Sequence, residues 1–439
     1  MSKERQSNRE KVSRTPKWIL RLIGTTTVAA ALLLPACAPS SDAESARPET
    51  TTALEVPQAK PPTAVEPAPP PRPPLITETL PLARDRITRD TGMDMDPCWR
   101  FTVCGTDLLV PFLLPNGSVG YMTGDTFATK GPYEQNLPPG GDQWRSPVML
   151  RSSEVPKLGD PITFDNAAGL AGEGVAPEFI YNSHRRNGRE VTVFPNDAVS
   201  LPDGRIIVSY QSVGGANGEI SPDNANWSTN YSGLAISTDG NRFERLLSGP
   251  NGQPGPGDPV WMNNEQNIDE SQMWSMQLDG DYVYIVSVRA GRTSGPMIIL
   301  RVPWRDIQNK GAYKCWNGSN WGGECKPILS DSKYGEPSLR KLNDGTPEGL
   351  WVMSYVDYTY TQLMTRTSKS PTGPWSEPKV QMDWHDMNAL YGGFIHPHST
   401  PDNLILMVST WQREIDKDKY GEYGKLLRYD VSHLITTVS

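Results

Sequence analysis

The chain has 439 residues, with 42 Lys and Arg against 50 Asp and Glu for a net charge of -8, and 36% of its residues are hydrophobic. A net acidic chain is not built for nucleic acid, whose phosphates demand a basic surface, and no apolar run reaches the roughly 18–20 residues of a membrane-spanning helix. With 39 Gly and 41 Pro, both above ordinary usage, the composition points to turn-rich β structure rather than a helical bundle.

The first segment in chain order reads as an export signal. Met1 to Arg21 carries seven Lys or Arg and two Glu, and Leu22 to Pro35 is an apolar stretch of 14 residues, too short to span a membrane. It closes on Leu34-Pro35-Ala36-Cys37, which resembles a bacterial lipoprotein cleavage box with Cys37 as the lipidated first residue. The alternative is ordinary secretion with Cys37 incidental. The expectation is a signal peptide over 1–36 and lipid anchoring to the outer face of the cytoplasmic membrane, within the cell envelope. Residues 37–84 follow as a tether: Pro39 to Pro74 holds 11 Pro and no aromatic residue in 36 positions. Such a composition cannot bury enough apolar surface to offset its ordering entropy, and it stays extended.

Residues 85–439 hold 38 of the Gly, 12 of the 13 Trp and four of the five Cys. In an exported protein, Cys98 with Cys104 and Cys315 with Cys325 are expected as two local disulfides, with free thiols or crossed pairing as the alternatives. Neither spacing supplies a full set of metal ligands. Five segments repeat one form, an alternating apolar run, a tight turn and a second β-rich run. Their turns are Asn116-Gly117, Asp203-Gly204, Asp279-Gly280, Asp344-Gly345 and Asp402-Asn403. Asn-Gly and Asp-Gly between alternating runs are strong hairpin signals. Further strands are predicted at Ser232–Ser237, Met297–Val302, Gln362–Thr367 and Lys425–Tyr429. One all-β, five-bladed propeller accommodates these hairpins better than a β-sandwich or two smaller sheets.

In a propeller the first strand of each blade lines a central channel, and its entry end opens on one face. Asp107, Asp197 and Glu336 are each read as standing at such an entry. Asp125 should return to the same mouth beside Asp107, because both lie nine residues from Asn116 in one hairpin. Glycoside hydrolysis needs one carboxyl group protonated and another ionised, and crowded carboxylates push their pKa values apart without any cofactor. Any one of these acids alone reads as a turn cap or the ligand of a structural cation; their recurrence favours a site. Trp144, Trp261 and Trp384, in polar loops, are expected as platforms for sugar rings, with burial between blades as the competing role. His396 is expected to enter the fifth blade where the carboxylates enter others, there to tune an acid or to serve as a structural histidine. No redox or nucleotide cofactor is expected, and a structural Ca²⁺ or Na⁺ in the channel is compatible with every reading.

Gly105-Thr106-Asp107-Leu108, the run Gly120-Tyr121-Met122-Thr123-Gly124-Asp125-Thr126, Pro195-Asn196-Asp197 with Leu201-Pro202-Asp203-Gly204, and Tyr334-Gly335-Glu336-Pro337-Ser338 stand in that order. Together they resemble the domain of unknown function 4185, a family associated with glycoside hydrolase family 183, endo-acting D-arabinanases of actinobacteria. The resemblance spans nearly all of residues 90–439. It implies a five-bladed propeller that cleaves internal α-D-arabinofuranosyl bonds in arabinogalactan or lipoarabinomannan. The family's acidic pair falls on Asp107 and Asp125, with Asp197 and Glu336 orienting them. Asp107 is then general base or nucleophile and Asp125 general acid, roles open to exchange. Met122-Thr123, where a more aromatic strand end is expected, departs from the pattern. Two rival classes use the same face without needing clustered acids: a non-catalytic carbohydrate-binding propeller and a partner-binding lipoprotein of the envelope.

Overall fold

The computed structural model describes residues 83–129, 143–180, 190–214, 228–263, 270–414 and 425–438. Cys37, the expected signal peptide and all but the last two residues of the expected tether lie outside these. Among the described residues the chain is all-β, its one α-helix being the six residues Asp96–Phe101.

Among the described residues, five antiparallel sheets of four or five strands follow one another along the chain, and Gly105–Thr106 pairs with Thr126–Phe127 as a separate two-stranded ladder. Sheet I holds Val110–Leu113, Val119–Met122, Met149–Ser152 and Asn166–Ala167. Sheet II holds Thr192–Ser200, Ile206–Gly214, Ser228–Ser237 and Glu244–Arg245, with Val260–Met262 also paired to its third strand. Sheet III holds Met273–Asp279, Tyr282–Val288, Gly295–Pro303 and Lys314–Cys315, with Leu329–Ser332 beside its third strand. Sheet IV holds Tyr334–Leu342, Leu350–Asp357, Gln362–Ser368 and Lys379–Asp383. Sheet V holds Leu390–Ile395, Leu404–Glu414 and Lys425–Thr436, and its outer strand is the N-terminal Ile87–Arg89. Each of the five expected turns joins the first two strands of one sheet, and Gly117, Gly204, Gly280 and Gly345 take the positive φ that glycine adopts without steric cost. Cys98 is bonded to Cys104 and Cys315 to Cys325, the local pairing expected.

The cores lie between successive sheets, which explains strands that are apolar on both faces. In sheet III, Trp274, Met276, Val283, Ile285, Ile298 and Leu300 pack toward Val199, Ile207 and Leu234 of sheet II. Their alternates Met273, Val286, Val288, Met297 and Ile299 pack toward Leu339, Trp351 and Met353 of sheet IV. The period of two thus assigns each side chain to one neighbour or the other. The same holds between sheets IV and V, through Val352, Val356, Leu406 and Leu434. Sheet I shares one cluster with both II and V, in which Val110, Val208, Met407 and Val431 take part.

Polar links tie the first strands together inside this apolar frame. The two terminal nitrogens of Arg340 reach the two carboxylate oxygens of Asp197 at 2.8 and 2.9 Å, and Nη2 also donates to the carbonyl of Pro111 at 2.9 Å. Ser275 Oγ donates to Asp197 (2.5 Å) and accepts from the Leu339 backbone (2.8 Å). Ser338 Oγ accepts from the Ile395 backbone (3.0 Å), and Ser409 Oγ from that of Leu108 (2.9 Å). These bonds lead from sheet I through II, III, IV and V back to I. Asp197, 1% exposed in its side chain, accepts from the Ala198 and Met276 backbones as well. It is a structural anchor, and Arg340 supplies the positive charge that a channel cation would otherwise have to bring.

Removing one partner from a buried pair leaves an uncompensated charge and costs about 3–5 kcal/mol. Arg340→Met is therefore expected to lower unfolding stability by about that much in a denaturant titration. Arg305→Ala, which breaks an exposed pair with Asp281, should change it little. An Arg340→Met protein as stable as wild type would contradict the anchoring role.

Candidate active site

Asp107 lies between two short ladders in one register. Gly105 pairs with Phe127 and Thr106 with Thr126 on one side, and Val110 pairs with Met122 on the other. Carried through, that register sets Asp107 opposite Asp125, as the hairpin spacing implies. The strand is not straight there: Leu108 and Leu109 are left-handed, with φ of 67° and 51°, at about 1–2 kcal/mol each. The distortion is held by the Leu108 bond to Ser409 and by the Leu109 and Gly124 N–H groups, which both donate to the Asp107 carbonyl (3.0 and 3.3 Å). The carboxyl group is thereby turned against Gly124, where any Cβ would collide with Oδ1.

The two acids stand in different surroundings. Asp125 is half-buried and accepts from Trp144 Nε1 (2.8 Å) and from Thr192 Oγ1 (3.1 Å), donors that favour an ionised carboxylate. Asp107 is 8% exposed and accepts from the Tyr391 hydroxyl at Oδ2 (3.1 Å), while Oδ1 receives no hydrogen bond of good geometry among the described residues. Burial first, and the negative charge of Asp125 second, push its pKa up to about 8, against the opposing pull of the Tyr429 and Tyr391 hydroxyls and of Arg292. Asp107 is thus protonated at neutral pH. Burial, then Asp107, hold Tyr391 and Tyr429 well above their ordinary pKa, so both serve as donors.

Glu336 joins this group from sheet IV. Its Oε1 accepts from Arg292 Nε and Nη2 (3.0 and 2.7 Å), and its Oε2 from the Tyr358 hydroxyl (2.7 Å). The Arg292 guanidinium carbon lies 4.5 Å from the Tyr358 ring centre and 5.2 Å from that of Tyr391. Side chains from all five sheets, or from the segments that flank and join their strands, therefore converge at one mouth: Asp107, Asp125 and Trp144 beside I, Thr192 from II, Arg292 from a turn within III, Glu336 and Tyr358 from IV and its edge, and Tyr391 and Tyr429 from V.

Four expected site residues are not brought here. Asp197 does not enter its strand; the strand starts at Thr192, which touches Asp125, and five residues at about 3.3 Å each put Asp197 roughly 16 Å deeper. His396 follows the last residue of its strand rather than the first, and Tyr391 occupies the entry instead. Its Nδ1 accepts from the His398 backbone, which leaves Nε2 to donate to Tyr121 Oη (2.8 Å). Burial, then His398, Arg340 and His433, hold its pKa well below the ordinary value, so it is a neutral structural histidine. Trp261 packs its ring 4.4 Å from that of Trp274 and 4.9 Å from that of Tyr313, in the core between sheets II and III. Trp384 is 52% exposed but borders a different cleft, with Arg89, Gln412 and Arg428 on the flank of sheet V. Trp144 is in the site, with its indole nitrogen bonded to Asp125 and its ring parallel to that of Phe127 at 6.5 Å.

Sequence reasoning passed over Tyr429, Tyr358, Thr192 and Arg292, and gave Tyr391 only the general part of an aromatic near a strand end, with no place beside the acids. For Tyr391 a signal existed, since the entry rule that selects Asp107 and Glu336 selects it once the strand is counted from Leu390. Arg292 offered none: it comes from a 3-10 turn, Ala290–Arg292, between two strands.

A family model described as "Domain of unknown function (DUF4185)" matches residues 95–432. The chain is 43% identical over 336 residues to Notoamide biosynthesis cluster protein J of Aspergillus sp. (strain MF297-2), covering 73% of this chain and 83% of that protein. It is 43% identical over 339 residues to Notoamide biosynthesis cluster protein J' of Aspergillus versicolor, covering 74% and 86%. Among solved structures it is similar to a family 117 glycoside hydrolase produced by the marine bacterium Zobellia galactanivorans. That likeness has a TM-score of 0.47 and 11% identity over 80% of this chain and 90% of that one.

The ionisation of Asp107 has a consequence for stability. The folded protein keeps this proton up to pH about 8, whereas the unfolded chain releases it near pH 4. Stability contributed by the protonated group is full below about pH 4, falls as pH rises toward 8, and is lost above. Asp107→Asn keeps the shape without the charge. It is expected to be more stable than wild type at pH 8 by on the order of 2–4 kcal/mol, and no more stable at pH 4, in chemical unfolding at the two pH values.

Proposed function

The chain belongs to the DUF4185 family, and on that premise we propose that it is a glycoside hydrolase, an exported endo-D-arabinanase whose five sheets are the blades of one propeller. One observation carries the hydrolase reading: a buried carboxyl group, Asp107, pushed up to about 8 beside a partner carboxylate held by two donors. In this reading Asp107 is the general acid. It gives its proton to the leaving glycosidic oxygen as the bond to the anomeric carbon breaks. Asp125 takes the other role, as nucleophile or as the base that activates a water. This exchanges the roles first assigned from the sequence, because Asp107 is the more buried of the two. The tyrosines and the Arg292–Glu336 pair frame the acid, and Trp144 orients Asp125.

Endo action and D-arabinan as substrate rest on the ordered motifs around Asp107, Asp125, Asp197 and Glu336, and membrane attachment rests on the Leu-Pro-Ala-Cys box at Cys37 and the proline-rich spacer. The fungal relatives favour a second reading. Their names refer to a notoamide biosynthesis cluster, and in that reading the same pair of acids would act on a small glycoside rather than on a wall polymer.

Incubation of the purified protein with D-arabinan, followed by chain-length analysis, separates these readings. Endo-hydrolysis yields a ladder of oligosaccharides, with rates that fall as pH rises through about 8. Asp107→Asn and Asp125→Asn should each reduce the rate by about 10²–10⁴-fold while remaining folded. Monosaccharide alone would indicate exo action, and unshortened polymer with turnover of small glycosides would favour the second reading. Full activity in either variant would overturn the assignment of the acids.

A further inference from the structure

Arg292 and Glu336 form an ion pair at the mouth that the hydrolysis proposed above does not itself consume. Both residues are on left-handed backbone, with φ of 56° and 44°, a cost that persists only where the surroundings over-determine the conformation and that clusters at functional sites. The preceding Gly335 is required by the same packing, since a Cβ there would run into the Tyr358 ring and come within 3.3 Å of Arg292 Cγ. Glu336 is 4% exposed and Arg292 19%. Burying an ion pair is a poor way to gain stability, because desolvation offsets the attraction. Its orientation is specific: Arg292 is gripped at one edge by Glu336, while its cationic face covers the rings of Tyr358 and Tyr391. Tyr391 in turn donates to Oδ2 of Asp107.

We propose that Arg292 and Glu336 are positioning residues that act on Asp107 through Tyr391: the clamped guanidinium fixes the Tyr391 hydroxyl on Oδ2, and with it the orientation of the Asp107 carboxyl group and its proton. This rests on the hydrolase reading only for the fate of that proton. Glu336 then contacts no sugar and transfers no proton. The charged and titratable groups facing Asp107 are Asp125 from sheet I, Arg292 from sheet III, and Tyr391 and Tyr429 from sheet V, with Glu336 and Tyr358 behind Arg292. Neutralising Glu336 removes a negative charge that offsets Arg292. Neutralising Arg292 removes a positive charge that faces Asp107.

The test is the titration midpoint of Asp107 in the full chain labelled with ¹³C at aspartate carboxyls, assigned by difference from Asp107→Asn. Glu336→Gln is expected to lower that midpoint by about one pH unit and Arg292→Gln to raise it by about one. Tyr391→Phe, which removes a single oxygen, should also raise it. In each variant kcat should fall by about tenfold or more with KM little changed, and the alkaline limb of the rate profile should move with the midpoint. Should Arg292→Gln fail to fold, Glu336→Gln and Tyr391→Phe still give opposite signs. Midpoints that do not move, with activity lowered equally at every pH, would reduce the pair to a structural role and overturn the proposal. The midpoint needs no turnover. If it moves as stated while D-arabinan is left intact, the arabinanase reading fails and this one stands.

Discussion

The guanidinium of Arg340 holds both oxygens of Asp197 and the carbonyl of Pro111, and the geometry of the mouth depends on that junction. Each sheet presents its first strand to the middle of the molecule, and apolar packing between sheets fixes how closely they approach but not how far one slides along another. Hydrogen bonds at defined points do fix this. Asp197 reads sheet III through Ser275 and Met276, sheet IV through Arg340, and sheet I through the nitrogen that Arg340 shares with Pro111. Three residues beyond Pro111 along the chain's reverse course is Leu108, itself bonded to sheet V. A register set at the centre is thereby transmitted to Asp107.

The mouth shows the opposite economy. Its residues stand on unfavourable backbone at Leu108, Leu109, Arg292 and Glu336, and its central carboxyl group is held far from its ordinary ionisation. None of this favours folding. It persists because the surrounding sheets are packed on both faces and the strained segments are short, so that local cost is absorbed by a large frame. The chemical gain is a proton kept available at neutral pH on one of two neighbouring carboxyl groups, which an exposed acid in water could not hold.

Much of this was legible in the sequence. Turn dipeptides between alternating runs gave all five hairpins, because the backbone demands of a tight turn are local. The pairing of Asp107 with Asp125 was legible for the same reason, since both belong to one hairpin and register follows from the turn. Placement across sheets was not. Asp197 and His396 were assigned to the mouth on the assumption that their strands began beside them, whereas one begins five residues earlier and the other ends just before. The strand runs through Pro195, which the ladder absorbs with an irregularity between Pro195 and Asp197. Arg292, Tyr358 and Tyr429 reach the site only through the relative positions of sheets III, IV and V, which no local pattern encodes. Trp261 shows the same limit: a polar neighbourhood in sequence says little about a ring that packs against Trp274 and Tyr313.

The central claim, that Asp107 and Asp125 flank a scissile glycosidic bond, is tested most directly by a crystal structure of the Asp107→Asn protein with a linear D-arabinan oligosaccharide. A glycosidic oxygen within hydrogen-bond distance of residue 107, with the adjoining anomeric carbon facing the Asp125 carboxylate, is the expected result. An oligosaccharide seated in the cleft beside Trp384, with none at the Asp107 mouth under saturating ligand, would contradict it.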